Sequence, residues 1–136
     1  MQIEECTIKD VPLLAKLNKL FFEEEKSETN LSLPHLEARM SSYLSSHFGA
    51  FLFREGEKIV GYALCDKSKT PVYLRQFYIS RDERRKGYGR QAFRLLLDKL
   101  DIQDADIEVY HWNDIGSAFW SSLGFDTQSN RIVNKK

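Results

Sequence analysis

The chain has 136 residues, 42% of them hydrophobic, and its twenty basic side chains balance twenty acidic ones. That length suits a single domain over 1–136 with its own core, since domains commonly run to about 100–150 residues. A formal net charge of zero excludes a global field drawing the protein to nucleic acid or a membrane, so any charge effect must be local.

Met1-Gln2-Ile3-Glu4-Glu5 places acids where a signal peptide needs a basic start, and no apolar run approaches the roughly 20 residues of a membrane span. Cys6 and Cys65 are far apart, with no CxxC pattern and no nearby histidine pair. Free thiols in a cytoplasmic protein are favoured over a disulfide or a metal site.

Residues 1–7 read as a strand, closed by Thr7-Ile8-Lys9-Asp10, a capping box with Asp in the Glu position. A helix over about 10–25 follows, with Leu13, Leu17, Leu20 and Phe21 at helical spacing, before the polar run Glu23-Glu24-Glu25-Lys26-Ser27-Glu28. A second helix follows Pro34, with Leu36, Met40, Tyr43, Leu44 and His47 on one face. From Gly49 the pattern is that of a hairpin: Ala50-Phe51-Leu52-Phe53, a turn at Glu55-Gly56-Glu57, then Ile59 to Cys65. Val72 to Ile79, entered through Pro71, is another strand.

A long helix follows, with Ala92, Phe93, Leu96, Leu97 and Leu100 forming an amphipathic stripe. Ile107 to His111 is a further strand, Asn113 or Asp114 caps a short helix to about Leu123, and Phe125 to Val133 adds a weak strand or two. No repeat or linker interrupts this order, which predicts an α/β fold: a mixed, mostly antiparallel central sheet flanked by helices on both faces.

Between the Val72–Ile79 strand and the long helix lies Arg84-Arg85-Lys86-Gly87-Tyr88-Gly89-Arg90. A glycine-containing turn before a helix start presents unpaired N–H groups and the positive end of a dipole, an anion site. A solvated basic turn is the bland alternative. A Walker loop fails for want of Gly-Lys-Ser/Thr at the required spacing, and a dinucleotide fingerprint lacks one of its three glycines. Nucleic-acid binding through Arg81, Arg84, Arg85, Lys86 and Arg90 is the weaker reading, because only Tyr88 is there to stack on bases.

Arg84-x-x-Gly87-x-Gly89 resembles the acyl-CoA pyrophosphate signature of the GNAT superfamily of N-acetyltransferases, Q/R-x-x-G-x-G/A, with the strand before and the helix after in the family's places. Asn113 and the ending Ala118-Phe119-Trp120-Ser121-Ser122-Leu123-Gly124-Phe125 are similar to the family's Asn and its aromatic-aromatic-x-x-x-Gly-Phe motif. The resemblance covers nearly the whole chain and implies the acyl-CoA N-acyltransferase fold, acetyl-CoA as co-substrate without a metal, and an amine acceptor attacking the thioester directly. Homodimers are common in the superfamily.

The resemblance also implies roles. Main-chain N–H groups from Arg85 through Lys86, Gly87, Tyr88 and Gly89 to Arg90 would hold the pyrophosphate, with Gly87 and Gly89 letting phosphates approach without a Cβ and Arg84, Arg85 and Arg90 adding charge. The main chain of Phe77, Tyr78 and Ile79 would hold the pantetheine arm where the fourth strand splays from the fifth, an amide near Phe77 polarising the carbonyl. The side chains of Phe77 and Ile79 read as core. Asn113, with Ser117 a weaker candidate, would bond the arm.

Trp120 departs from the family, where a Tyr often stands to protonate the departing thiolate, since indole donates a hydrogen bond without being a usable acid. Tyr78, Tyr110 or water could supply that proton. His111 has the chemistry of a general base, with a structural histidine as its bland reading. Glu23, Glu24, Glu25 and Glu28 either form a solvated helix end or, facing the acceptor pocket, attract a cationic amine. An acyl-CoA-binding module without transferase activity is the alternative function.

Overall fold

Strands β1 (Gln2–Glu5), β2 (Phe48–Glu55), β3 (Lys58–Asp66), β4 (Val72–Ile79), β5 (Ala105–Glu108), β6 (Phe125–Gln128) and β7 (Arg131–Asn134) form one sheet in the order β1-β2-β3-β4-β5-β7-β6. The structure, a computed structural model, describes residues 1–24, 31–108, 114–123, 125–128 and 131–134. Among them β4 and β5 pair in parallel and the other neighbours are antiparallel, the mixed sheet expected. The tail contributes two strands, β6 and β7, which pair with each other.

Among the described residues four α-helices cover the sheet: α1 (Val11–Glu24), α2 (Leu33–Leu44), α3 (Tyr88–Leu100) and α4 (Asp114–Ser122). The capping box forms ahead of α1: the Thr7 N–H donates to Asp10 Oδ2 at 2.8 Å and the Lys9 N–H to the Thr7 hydroxyl at 3.4 Å. Ser32 caps α2, accepting from the His35 N–H at 3.3 Å, with Pro34 in the first turn where its missing N–H costs nothing.

Strand alternation sorts the apolar side chains into two cores. On one face Leu14, Leu17 and Met40 of α1 and α2 pack on Ala50, Leu52, Tyr62, Leu64 and Tyr78. On the other, Phe93, Leu96 and Trp120 of α3 and α4 pack on Phe51, Phe53, Ala63, Cys65, Leu74 and Ile79.

Two sequence expectations shift. The buried stripe of α1 is Val11, Leu14, Ala15, Leu17 and Asn18, while Leu20 is 45% exposed. Spacing of i, i+3, i+4, i+7 from Val11 selects that face, and it admits a polar residue that a count of leucines passes over. His47 is off the apolar face of α2, because the helix ends at Leu44; its exposed ring instead stands 3.3 Å from Asp66.

Two bulges shape the centre of the sheet. Leu64 pairs with Gln76 and Cys65 with Leu74, so Arg75 is an extra residue in β4; Phe53 pairs with Gly61 and Arg54 with Ile59, so Val60 is extra in β3. Gly61 faces Ile79 across the ladder, and a Cβ there would lie 2.1 Å from the Tyr78 carbonyl oxygen.

Candidate functional site

The single parallel pairing sets up the site. Among the described residues β4 pairs with β5 from Val72↔Ala105 to Leu74↔Ile107, and β5 pairs along its other edge with β7 from Asp106 to Glu108. From the Arg75 bulge to Ile79, the edge of β4 that faces β5 therefore has no strand partner among the described residues. A strand with unpaired main-chain groups on one edge can accept an extended ligand as an added strand.

Beyond Ile79 the chain makes a short helical turn, Arg81–Glu83, tied down by Ser80 N–H donating to Val60 O at 2.8 Å and Glu83 N–H to Ser80 O at 2.8 Å. It then enters α3 through two positive-φ residues, Arg85 at 64° and Gly87 at 77°. Gly87 occupies the cap position of α3 in the left-handed region, where a Cβ is disfavoured, and no side chain caps this helix start. Its first-turn N–H groups are thus left to an external acceptor.

The cations of the turn are divided. Arg84 Nε donates to the Ile79 carbonyl at 3.0 Å, Arg84 Nη2 pairs with Glu24 at the end of α1, and the guanidinium lies 5.7 Å from the Tyr78 ring centre. Lys86 joins Lys58 on the nearly buried Glu83, at 3.1 and 2.9 Å. Those two ammonium groups hold the Glu83 carboxyl below its ordinary range. Arg90 Nη2 lies 3.4 Å from the Ser122 carbonyl at the end of α4. Arg85 is exposed and has no partner among the described residues.

The structure gives Gly89 a second reason to be glycine. A Cβ there would lie 2.8 Å from Phe119 Cε1, so the space expected for a phosphate's approach is, in that direction, filled by an aromatic ring. Phe119 stacks on Phe77, with centroids 5.9 Å apart and planes 17° apart, and Trp120 meets Phe77 edge-on at 5.2 Å. Trp120 is 4% exposed, enclosed by Phe77, Phe93 and Phe119, so it is the more deeply buried of the two aromatics on α4. Ile79 and the half-buried Phe77 belong to this core, as their sequence pattern suggests.

On the opposite face of β4 a buried polar trio joins α1 to the sheet. Asn18 Nδ2 donates to Tyr62 Oη at 3.1 Å and to Gln76 Oε1 at 3.0 Å, and the Tyr62 hydroxyl donates to the same Gln76 oxygen at 2.8 Å. Tyr78 follows on that face, and burial foremost, then the Glu24 charge, pushes its phenol above its ordinary value, so it keeps its proton. The trio was missed in the sequence, although Asn18 on the Val11-Leu14-Ala15 stripe was a visible signal.

His111, Tyr110, Asn113, Glu25 and Glu28 lie outside the described residues, and Ser117 is on α4 with its side chain outside them. Burial pushes the thiols of Cys6 and Cys65 up to about 12, which leaves neither as a thiolate nucleophile near neutrality. No cluster of metal-ligating side chains occurs among the described residues. Nor is any helix among them long and apolar enough to cross a membrane. A cavity of about 420 Å³ opens at the far end of β4, between Lys69 to Val72 and the Leu100 end of α3, away from the turn just described.

The sequence profile of the acetyltransferase (GNAT) family matches residues 12–125, and the chain belongs to that family. Solved structures share the fold over nearly its whole length. An acetyltransferase from Thermus thermophilus superposes with a TM-score of 0.75 at 24% identity, covering 98% of this chain and 95% of that one. The PaiA N-acetyltransferase from Thermoplasma acidophilum, in complex with coenzyme A, does so at 0.69 and 14% identity, with 100% of both chains covered. An aminoglycoside acetyltransferase from an uncultured soil metagenomic sample, in complex with sisomicin, gives 0.67 at 19% identity over 89% and 85%. Among curated proteins none matches. The fold is the acyl-CoA N-acyltransferase fold, built as one mixed sheet between two helical layers.

Proposed function

We propose that the chain is a single-domain N-acetyltransferase that moves an acetyl group from acetyl-CoA to a primary amine by direct attack. The observation that carries this reading is the uncapped start of α3 at Gly87, reached from β4 through a turn with two positive-φ residues. Free N–H groups at a helix N-terminus suit a pyrophosphate, and the edge of β4 beyond Leu74, without a strand partner among the described residues, suits the amides of a pantetheine arm. The residues present therefore fit coenzyme A. A crystallised family member of the same fold is described as a complex with it.

In this reading the main chain of Phe77, Tyr78 and Ile79 aligns the arm, and the N–H groups from Arg85 through Lys86, Gly87, Tyr88 and Gly89 to Arg90 take the phosphates. Exposed Arg85 adds charge there. Arg84 acts as a strut, because its guanidinium is already bound to Glu24 and Ile79. Asn113 and Ser117 would bond the same arm, as the family resemblance implies. Acetyl-CoA supplies the activated carbonyl. An amide near Phe77 stabilises charge developing on the carbonyl oxygen, and positioning does most of the rest.

The amine nitrogen forms the new C–N bond as the C–S bond breaks, so the ammonium must lose a proton and the thiolate gain one. Tyr78, kept protonated by burial, serves as donor, and His111 as base. Trp120 supports the aromatic wall behind Phe77 and transfers no proton. Thiol release from acetyl-CoA across a panel of primary amines tests the reading. Amine-dependent release is expected, and CoA binding without release on any amine would leave only a binding module.

A further inference from the structure

The bulge in β4 has an effect on charge at the acceptor side. Neighbouring strand residues normally point to opposite faces, yet Gln76 bonds Asn18 of α1 and Arg75 lies over Tyr43 of α2, so both face the α1/α2 layer. The extra residue turns Arg75 onto this face just past Leu74, the last residue of β4 paired with β5 among the described residues. Its guanidinium carbon sits 5.5 Å from the centre of the Tyr43 ring. From α2, Arg39 reaches the same tyrosine, with Nη2 3.4 Å from its hydroxyl and its guanidinium 5.6 Å from the Phe22 ring.

Neither arginine forms an ion pair among the described residues. Of the described acids on this side, Glu24 is taken by Arg84 and Asp66 is beside His47, while the exposed Glu23 at the end of α1 and the half-buried Glu37 of α2 form no ion pair with either arginine. Aromatic rings hold a guanidinium in place without neutralising it, and its planar fork matches a carboxylate. Two cations are therefore oriented, and without an ion-pair partner among the described residues, beside the stretch of β4 that follows Leu74, whereas Glu23, Glu24, Glu25 and Glu28, read from sequence, either form a solvated helix end or attract a cationic amine.

We propose that Arg39 and Arg75, placed around Tyr43, recognise a carboxylate on the acceptor, so that the substrate class is an amine bearing a nearby carboxylate, as in an amino acid or an acidic peptide. This rests on the N-acetyltransferase reading for the role of the bound molecule, but binding can be measured without turnover. Arg75, being exposed, tolerates substitution without loss of a core contact.

Equilibrium titration of the protein, with and without CoA, compares glycyl-aspartate with its fully amidated neutral form, alongside spermidine and phosphoethanolamine. A charge-assisted contact to arginine predicts that glycyl-aspartate binds at least about tenfold more tightly than its amide. Arg75→Gln and Arg39→Gln should each erode that preference, and Arg75→Lys should keep part of it. Equal affinity for acid and amide, tighter binding of spermidine or phosphoethanolamine, or no binding of the acid overturns the proposal. Acid preference with no acetyl transfer to any amine would defeat the transferase reading alone.

Discussion

Phe119 covers Gly89 so closely that a Cβ built on the glycine would stand 2.8 Å from the ring, which is itself stacked on Phe77 of β4. The start of α3, the end of β4 and α4 are thereby packed into one unit around the turn. Gly89→Ala should overpack this contact and cost about 1–3 kcal/mol despite alanine's better helix propensity. Denaturant melts check it: Phe119→Leu in the same chain should recover part of the loss, and an unchanged midpoint for Gly89→Ala would remove the packing argument.

Gly61 meets backbone where Gly89 meets a ring. A Cβ 2.1 Å from the Tyr78 carbonyl oxygen has no flexible neighbour to displace, so Gly61→Ala should cost about 3 kcal/mol by forcing β3 from β4. Because Tyr78 and Ile79 are the residues moved, CoA affinity should fall in any fraction that remains folded, as titration calorimetry would show.

The Asn18, Tyr62 and Gln76 trio is buried, so removing one member leaves the others with lost hydrogen bonds in a dry place. Asn18→Ala should cost about 1–3 kcal/mol. A double-mutant cycle with Tyr62→Phe should show coupling well above experimental error, whereas strictly additive losses would mean that the trio does not act as a unit.

Glu83 sets a pH signature. Lys58 and Lys86 lower its pKa below the ordinary 4.5, so the clamp stabilises the fold above that value and is lost as pH falls through the lowered one. Glu83→Gln should melt earlier than wild type at neutral pH. The gap should narrow as pH drops below 4.5, and a gap independent of pH would show that the clamp contributes nothing.

The elements were largely legible because local signals agreed: the Thr7 to Asp10 box, the hairpin around Gly56, and the Ala92, Phe93, Leu96 stripe each formed where the pattern placed them. The turn before α3 was legible from Gly87 and its setting. The side-chain fates were not. Arg84 pairs with a glutamate sixty residues earlier, and the Phe119 ring over Gly89 depends on how α4 packs against α3, which no local spacing encodes. Arg75 looked like an ordinary strand residue, since a bulge shows only in the register with β3.

Direct transfer is tested most sharply by incubating the protein with acetyl-CoA labelled in its acetyl group and a reactive amine, then locating the label by mass spectrometry. The label should appear on the amine nitrogen, with thiol release only when amine is present and none on Cys6 or Cys65, whose thiols burial holds up to about 12. Label on either cysteine, or release independent of amine, would contradict direct transfer.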